Sequence, residues 1–435
     1  MAELRLREDQ KGVVEKIIDA LRRSGYAALQ APTGWGKTVT ALFAIKEFKA
    51  RPTLWLEPRL ATELHVYQHA ISLGLRALAT AGREKLCLNN YTTIDFMRGV
   101  CHSCKYNRLI TLDELGDFGA FAYMDFGRLR EVGESMQLCP YRLQSFMERY
   151  YGYDIIIAHF GRAGKLVKSV KPRLIVVDEA HNTVLPVVHR VDARALRLLL
   201  ERLGFEEGEA IRLIRSPESL RVVLRELVDT LIYAVNEDGD LKPVVEELLT
   251  MMNAQVWFLD ETEESLVGLE VPSIGANVPT LFMSATLPPS LLSTANTIVV
   301  KRGWSVPIRI DDRFALTMEN IERRKGEIAK HVSKYLEPGT VVFATLSREA
   351  LLSDEVVWED ELGSKTPCDY RDEVVVLKSF GRFNEGVNLD CFSRLVILGL
   401  PLLPPNVMRR LRARGVDEGD FITMKTVQLI GRVIR

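Results

Sequence analysis

Four groups of residues in this sequence have types and spacings that can do chemistry. The first is Ala31-Pro32-Thr33-Gly34-Trp35-Gly36-Lys37-Thr38, a short loop with two glycines ahead of a lysine. Such a loop offers backbone N–H groups and a helix N-terminus to an anion. Thr33, Gly34 and Gly36 would shape the cradle. Lys37 would reach the β- and γ-phosphates of a nucleotide, and the Thr38 hydroxyl would hold Mg²⁺. The second is Asp178-Glu179-Ala180-His181. Asp178 would bind Mg²⁺, Glu179 would orient and deprotonate a water, and His181 would tie the pair to the core. The third is Arg432 and Arg435, three apart and so on one side of a helix, with Gln428 one turn earlier. They would place positive charge on a γ-phosphate in its transition state. The fourth is Cys87, Cys101, Cys104 and Cys139, with thirteen residues between the first two and thirty-four between the last two. Four clustered thiolates suit an iron–sulfur cluster or a tetrahedral zinc site, and ligand chemistry alone leaves both open. Cys368 and Cys391 stand apart and read as ordinary thiols.

These groups need strands and helices to hold them. Ala27–Gln30 reads as a buried strand feeding the glycine loop, and Val39, Leu42, Phe43, Ile45 and Phe48 give the helix that follows an apolar face. Residues 4–23 read as a helix before the strand, where Gln10 suits either an adenine contact or a solvated position. Thr53–Leu56 is a second strand, Arg59 follows it, and 61–73 is helical. Ile155–Ile157 and Leu174–Val177 are buried strands, the latter ending at Asp178. Between them, the basic residues Arg162, Lys165, Lys168, Lys171 and Arg173 recur every few positions without an intervening acid. They could line one side of a helix, as a solvated face or as a strip tracking a phosphate backbone. Residues 184–270 are mostly helical by pattern. Thr280–Met283 is a further strand, and a second α/β unit starts near Ile298 with strands at Val341–Ala344, Val374–Leu377 and Leu395–Leu398.

The chain has 435 residues, 47% hydrophobic and 26% charged, with a net charge of −1. It is long enough for several domains and is no bulk polycation, so a nucleic-acid site must be a local basic groove. No apolar run approaches a bilayer span, and the charged start is no signal peptide. A cytoplasmic place in a prokaryotic cell is the expectation.

Taken in order, APTGWGKT, VVDEAHN, MSATLPP, FNEGVNLD and QLIGRVIR resemble the motif series of superfamily 2 helicases, in the flavour of the XPD/Rad3-like, DinG-related DNA helicases. An Ala at the head of the glycine loop is common in helicases. The resemblance covers nearly the whole chain and implies an α/β fold of two RecA-like motor domains. Motor domain 1 would comprise 1–81, 151–183 and 271–297. A four-cysteine Fe–S domain at 82–150 and a helical arch at 184–270 would be inserted in it, with motor domain 2 at 298–435. It also implies ATP as substrate, Mg²⁺ and a [4Fe–4S] cluster as cofactors, and 5′→3′ movement on single-stranded DNA with unwinding at junctions, in DNA repair, by a monomer without a membrane. Ser284, Ala285 and Thr286 fall on the motif that couples ATP state to DNA grip. Glu385 and Gly386 fall on one near nucleotide and DNA. Phe160, Tyr141, Arg162 and Lys165 are candidate DNA contacts. Two departures stand out: Glu57-Pro58-Arg59-Leu60 fits the family only loosely, and the family continues past its arginine motif whereas this sequence stops at Arg435. A truncated ATP- or DNA-binding scaffold and an RNA helicase are the alternatives.

Overall fold

A computed structural model describes residues 4–32, 34–58, 60–110, 121–237, 241–260, 264–271, 277–293, 296–301, 308–344, 356–362, 365–379 and 389–433. Thr33, Arg59, the 384–388 motif and Arg435 lie outside them. The chain forms two compact units, Met1–Lys301 and Arg302–Arg435.

The first unit contains β1 (Tyr26–Gln30), β2 (Thr53–Glu57), β3 (Ala77–Ala79), β4 (Tyr123–Met124), β5 (Ile155–His159), β6 (Leu174–Val177), β7 (Val187–Asp192), β8 (Val256–Asp260), β9 (Ser265–Glu270), β10 (Thr280–Ser284) and β11 (Thr297–Val299). Eight of these form one parallel sheet in the order β11-β1-β10-β6-β2-β5-β3-β4. Parallel strands are covered on both faces, which is why β6 is an unbroken apolar run, β2 is apolar at its centre, and both are buried along their length. Alternate side chains serve opposite faces. Trp55 and Val176 join a core with Ile17 of helix α1 (Glu8–Ser24), Leu42 of α2 (Lys37–Phe48) and Ala70 of α3 (Leu60–Ser72). Leu54, Leu56 and Val177 face the other way, against Leu143 and Met147 of the helix Pro140–Tyr150 and Leu166 of the helix Ala163–Val170. The cysteine-bearing segment therefore reaches the sheet through the helix that begins after Cys139.

Three expectations change here. Ile298 does not open the second unit: β11 pairs in parallel with β1, Leu29 opposite Ile298. The 184–270 segment has five helices and also an antiparallel sheet, β7-β9-β8, whose strands flank the helices in sequence. The basic run does not lie along one helix, because that helix spans only Ala163–Val170 and stops at Lys171, which takes a left-handed conformation. Lys165 and Lys168 are on it, while Arg162 precedes it.

The second unit is a parallel sheet, β13-β14-β12-β15, of β12 (Thr340–Ala344), β13 (Val357–Trp358), β14 (Val374–Lys378) and β15 (Arg394–Leu398). Cys368 and Cys391 are joined as a disulfide instead of standing as separate thiols. The cause is topological. Cys368 lies in the turn before β14 and Cys391 just before β15, and both strands start on the same edge because each runs parallel to β12.

Candidate functional site

Strand β1 delivers the chain into the glycine loop, and α2 leaves it with its first residue at Lys37. Gly34 and Gly36 have φ of +78° and +96°, a region that side chains other than glycine rarely occupy. At Gly36 a Cβ would also lie 2.5 Å from Gln10 Nε2. Lys37 Nζ donates to the Ala31 carbonyl at 3.2 Å, so the lysine lies across the loop it would fill with phosphate. Thr38 is in the first turn of α2, half-buried.

Two strands from β1, β6 ends at Asp178, which is buried. Its Oδ1 accepts from the Glu179 N–H at 2.9 Å. Burial pushes the Asp178 carboxyl above its ordinary range, the neighbouring Glu179 charge adds to this, and Lys37 opposes it. A buried carboxylate beside a second carboxylate is short of positive charge, and all-oxygen donors with a nearby threonine hydroxyl suit Mg²⁺. Glu179 has φ +47°, a strained conformation for a glutamate. Its Oε2 accepts from Ser284 Oγ at 3.2 Å, and Ser284 Oγ is 2.9 Å from His181 Nδ1. Thr286 N–H also donates to Ser284 Oγ, and Gln30 Oε1 accepts from Leu287 N–H. The ends of β1, β6 and β10 thus form one linked polar edge, and it lies outside the carboxyl ends of parallel strands, where open α/β sheets bind ligands.

Sequence reasoning missed the partners of Trp35. The indole Nε1 donates to Asp9 Oδ2 at 2.8 Å, and the Trp35 carbonyl accepts from Gln10 Nε2 at 2.9 Å and from Arg7 Nη2 at 2.5 Å. Gln10 Oε1 accepts from the Arg7 N–H, so both ends of its amide are used within the protein.

The four cysteines lie at turns. Cys87 ends the helix Arg83–Leu86, Cys101 lies in the 3₁₀ turn Val100–His102 with Cys104 two residues beyond it, and Cys139 caps the helix Pro140–Tyr150. Main-chain bonds hold these turns: Cys139 N–H to Tyr106 O, Arg130 Nη1 to Cys87 O, and Asn107 Nδ2 to Cys101 O. The Cys101 thiol is pushed up by burial, and Cys139, Cys104 and Cys87 each add to the shift against Arg83. The other three thiols thus lie near enough to Cys101 to act on its charge. Among the described residues no three His, Cys, Asp or Glu groups are drawn to metal-coordinating distance. The donor set fits a thiolate-ligated centre in type and number.

Beside this segment is a cavity of ≈ 470 Å³ lined by Arg83, Thr93, Phe96 and Tyr141 among others. The Arg83 guanidinium sits 5.1 Å from the Phe96 ring and 5.0 Å from that of Tyr141, and Lys165 Nζ bonds the Tyr141 hydroxyl at 2.8 Å. Lys165 and Tyr141 are thus brought together. Arg162 is corrected: it pairs with Glu148 Oε1 at 2.5 Å, with side chains 12% and 1% exposed, and cannot track a phosphate from there. Phe160 is half-buried against the core. Glu63 is fully buried near Arg162, neither of its carboxyl oxygens has a hydrogen-bond partner, and burial pushes it up to about 8. In the second unit, the helix Glu418–Val433 carries Gln428, with an unpartnered Oε1, and Arg432.

Comparison with known proteins places these features. Residues 3–71 match the family model "Type III restriction enzyme, res subunit", and residues 58–191 match DEAD_2. The ATP-dependent DNA helicase XPD of Sulfolobus acidocaldarius is 25% identical over 236 residues, which span 52% of this chain and 41% of that protein. A solved structure described as "XPD_Helicase" superposes with a TM-score of 0.63 at 16% identity, covering 99% of this chain and 93% of its own. Another, "XPD_APO", gives 0.54 at 15% identity, over 97% and 92%. These likenesses show the fold, parallel sheets of the RecA-like kind, and the chain resembles XPD-like helicases while spanning less than half the length of that curated relative.

Proposed function

We propose that the chain is an ATP-dependent DNA helicase that moves 5′→3′ on single-stranded DNA and opens duplex at junctions, in DNA repair. The observation that carries this reading is the linked edge of Lys37, Asp178, Glu179, Ser284 and His181 at the ends of three parallel strands. Lys37 leaves the Ala31 carbonyl and turns to the β- and γ-phosphates. Thr38 and Asp178 hold Mg²⁺, which supplies charge neutralisation on the phosphate oxygens. Glu179 takes a proton from the attacking water at its carboxylate, while Ser284 fixes the carboxylate and passes its position to β10. Arg432 and Arg435 are proposed, on motif order, to add positive charge during transfer, and Gln428 and Gln10 to border the nucleotide.

Cys87, Cys101, Cys104 and Cys139 are proposed to hold a [4Fe–4S] cluster. Bound there, it supplies a rigid cross-link for a segment of short helices. Arg83, Tyr141 and Lys165, around the neighbouring cavity, combine cationic and aromatic groups of the kind that grip single strands.

The test is ATP hydrolysis by the full chain with and without single-stranded DNA. Wild type is expected to be stimulated by DNA, and Lys37→Ala and Glu179→Gln to lose at least roughly 100-fold in rate. Hydrolysis that survives both substitutions overturns the site. ATP binding without hydrolysis at any DNA concentration makes the chain a scaffold instead of a motor.

A further inference from the structure

The Trp35 backbone N–H donates to the Pro32 carbonyl at 3.2 Å within the loop, and its side chain is held by separate bonds to α1. The indole N–H is bonded to Asp9, and Asp9 Oδ1 in turn accepts from Arg7 Nε at 3.2 Å. The Arg7 guanidinium lies 5.7 Å from the indole centroid and also bonds the Trp35 carbonyl. The ring is half-buried and packs with Leu4 and Leu6 against the core. Arg7 and Asp9, by contrast, are about half exposed, at 53% and 54%. The result is a half-buried indole held by hydrogen bonds beside a half-exposed guanidinium, two residues before Lys37. The charge of Lys37 reaches Asp178, which marks the γ-phosphate end of the loop. Trp35 is tied to α1 instead.

Resting on the nucleotide-motor reading above, we propose that Trp35, with Arg7 laid on it, is the stacking platform for the base of the bound nucleotide, and that Gln10 is a latch on the loop. Gln10 ties both ends of its amide to the protein, its oxygen accepting from Arg7 N–H and its nitrogen donating to Trp35 O, which fits a latch at the nucleotide's border. Every base has a π-face, so stacking is tolerant of base identity. The site should take a nucleoside triphosphate with modest discrimination among bases.

The experiment is calorimetric titration of the full chain with Mg²⁺·ATP, Mg²⁺·GTP and Mg²⁺·tripolyphosphate, which has no base. Wild type is expected to bind ATP and GTP within roughly tenfold of each other, and both more tightly than tripolyphosphate. Trp35→Ala should weaken ATP roughly tenfold and leave tripolyphosphate within about twofold, while Trp35→Phe restores most of the loss. Gln10→Ala should weaken ATP and tripolyphosphate alike. Tripolyphosphate binding also reports that each variant is folded. Equal weakening of both ligands in Trp35→Ala would show that the ring only shapes the loop, and the platform fails. A loss confined to ATP in Gln10→Ala returns base reading to Gln10. If wild type binds none of the three, the nucleotide reading itself falls and the platform with it.

Discussion

At the edge of the first sheet, the functional side chains are already tied in place: Lys37 to the Ala31 carbonyl, Asp178 to the Glu179 N–H, Glu179 to Ser284 and Ser284 to His181. At the four cysteines, by contrast, the bonds to Cys87, Cys101 and Cys139 go to their main-chain atoms. Asn89 Nδ2 lies 3.4 Å from Cys104 Sγ. The contrast separates two ways of making a site. Strand ends are placed by the ladder of a buried sheet, so folding alone completes the arrangement. Side chains on loops are brought near by folding, and on the proposed cluster reading the bound group would draw them together, making its affinity part of folding energy.

The sharpest way to break that contrast is Cys104→Ser. Purified anaerobically, the wild-type chain is expected to be coloured and to contain iron. The variant should lose the visible absorption and most of the iron, and limited proteolysis should then cut within 82–150. Binding of Mg²⁺·ATP should persist, because the strand-end edge does not depend on the thiols. An iron-free, colourless wild type removes the cluster from the account.

The joint between the two regions gives the next effect. Arg162 and Glu148 form an almost fully buried pair between the helix that starts at Cys139 and the turn after β5. Removing one partner strands the other, so Arg162→Met should cost about 3–5 kcal/mol in denaturant unfolding. Adding Glu148→Leu should recover much of it. A near-neutral single variant would mean that the two regions are not braced there.

The smallest effect depends on pH. Burial raises Glu63 from the ordinary 4.5 to about 8, so the folded chain keeps a proton that the unfolded chain releases between those values. The stability this group contributes is full below pH 4.5 and is lost as pH rises through 8. Glu63→Gln should therefore be neutral near pH 5 and stabilising at pH 9, by about 1–3 kcal/mol. Equal melting temperatures for the two proteins at pH 9 would place a partner on the carboxylate.

The phosphate loop and the two acids were legible because each follows a short apolar strand, and strand, loop and helix are contiguous in sequence. The strands at 280–284, 340–344, 374–378 and 394–398 were legible for the same local reason. Strands β3 and β4 were not: Ala77-Leu78-Ala79 lacks the β-branched residues that mark a strand, and β4 is two residues long. Strands β7, β8 and β9 were lost among helical patterns because the first is separated from the other two by five helices. Partners distant in sequence were equally hidden. Nothing local joins Asp9 to Trp35, Arg162 to Glu148, or Cys368 to Cys391. A basic residue in a basic run looks solvated until the acid that meets it is placed by another helix.

The helix Pro140–Tyr150 starts against the helix Phe126–Ser135, and they touch at a point with no side chain to spare. A Cβ on Gly133 would come within 2.6 Å of Pro140 Cγ and 2.9 Å of the Leu138 carbonyl. Cys139 lies between those two residues, so an inherited change from glycine to even alanine at 133 would shift a thiol that it never contacts. Such an allele would fall outside every motif in the sequence, and its lesion would appear in the turn that carries Cys139.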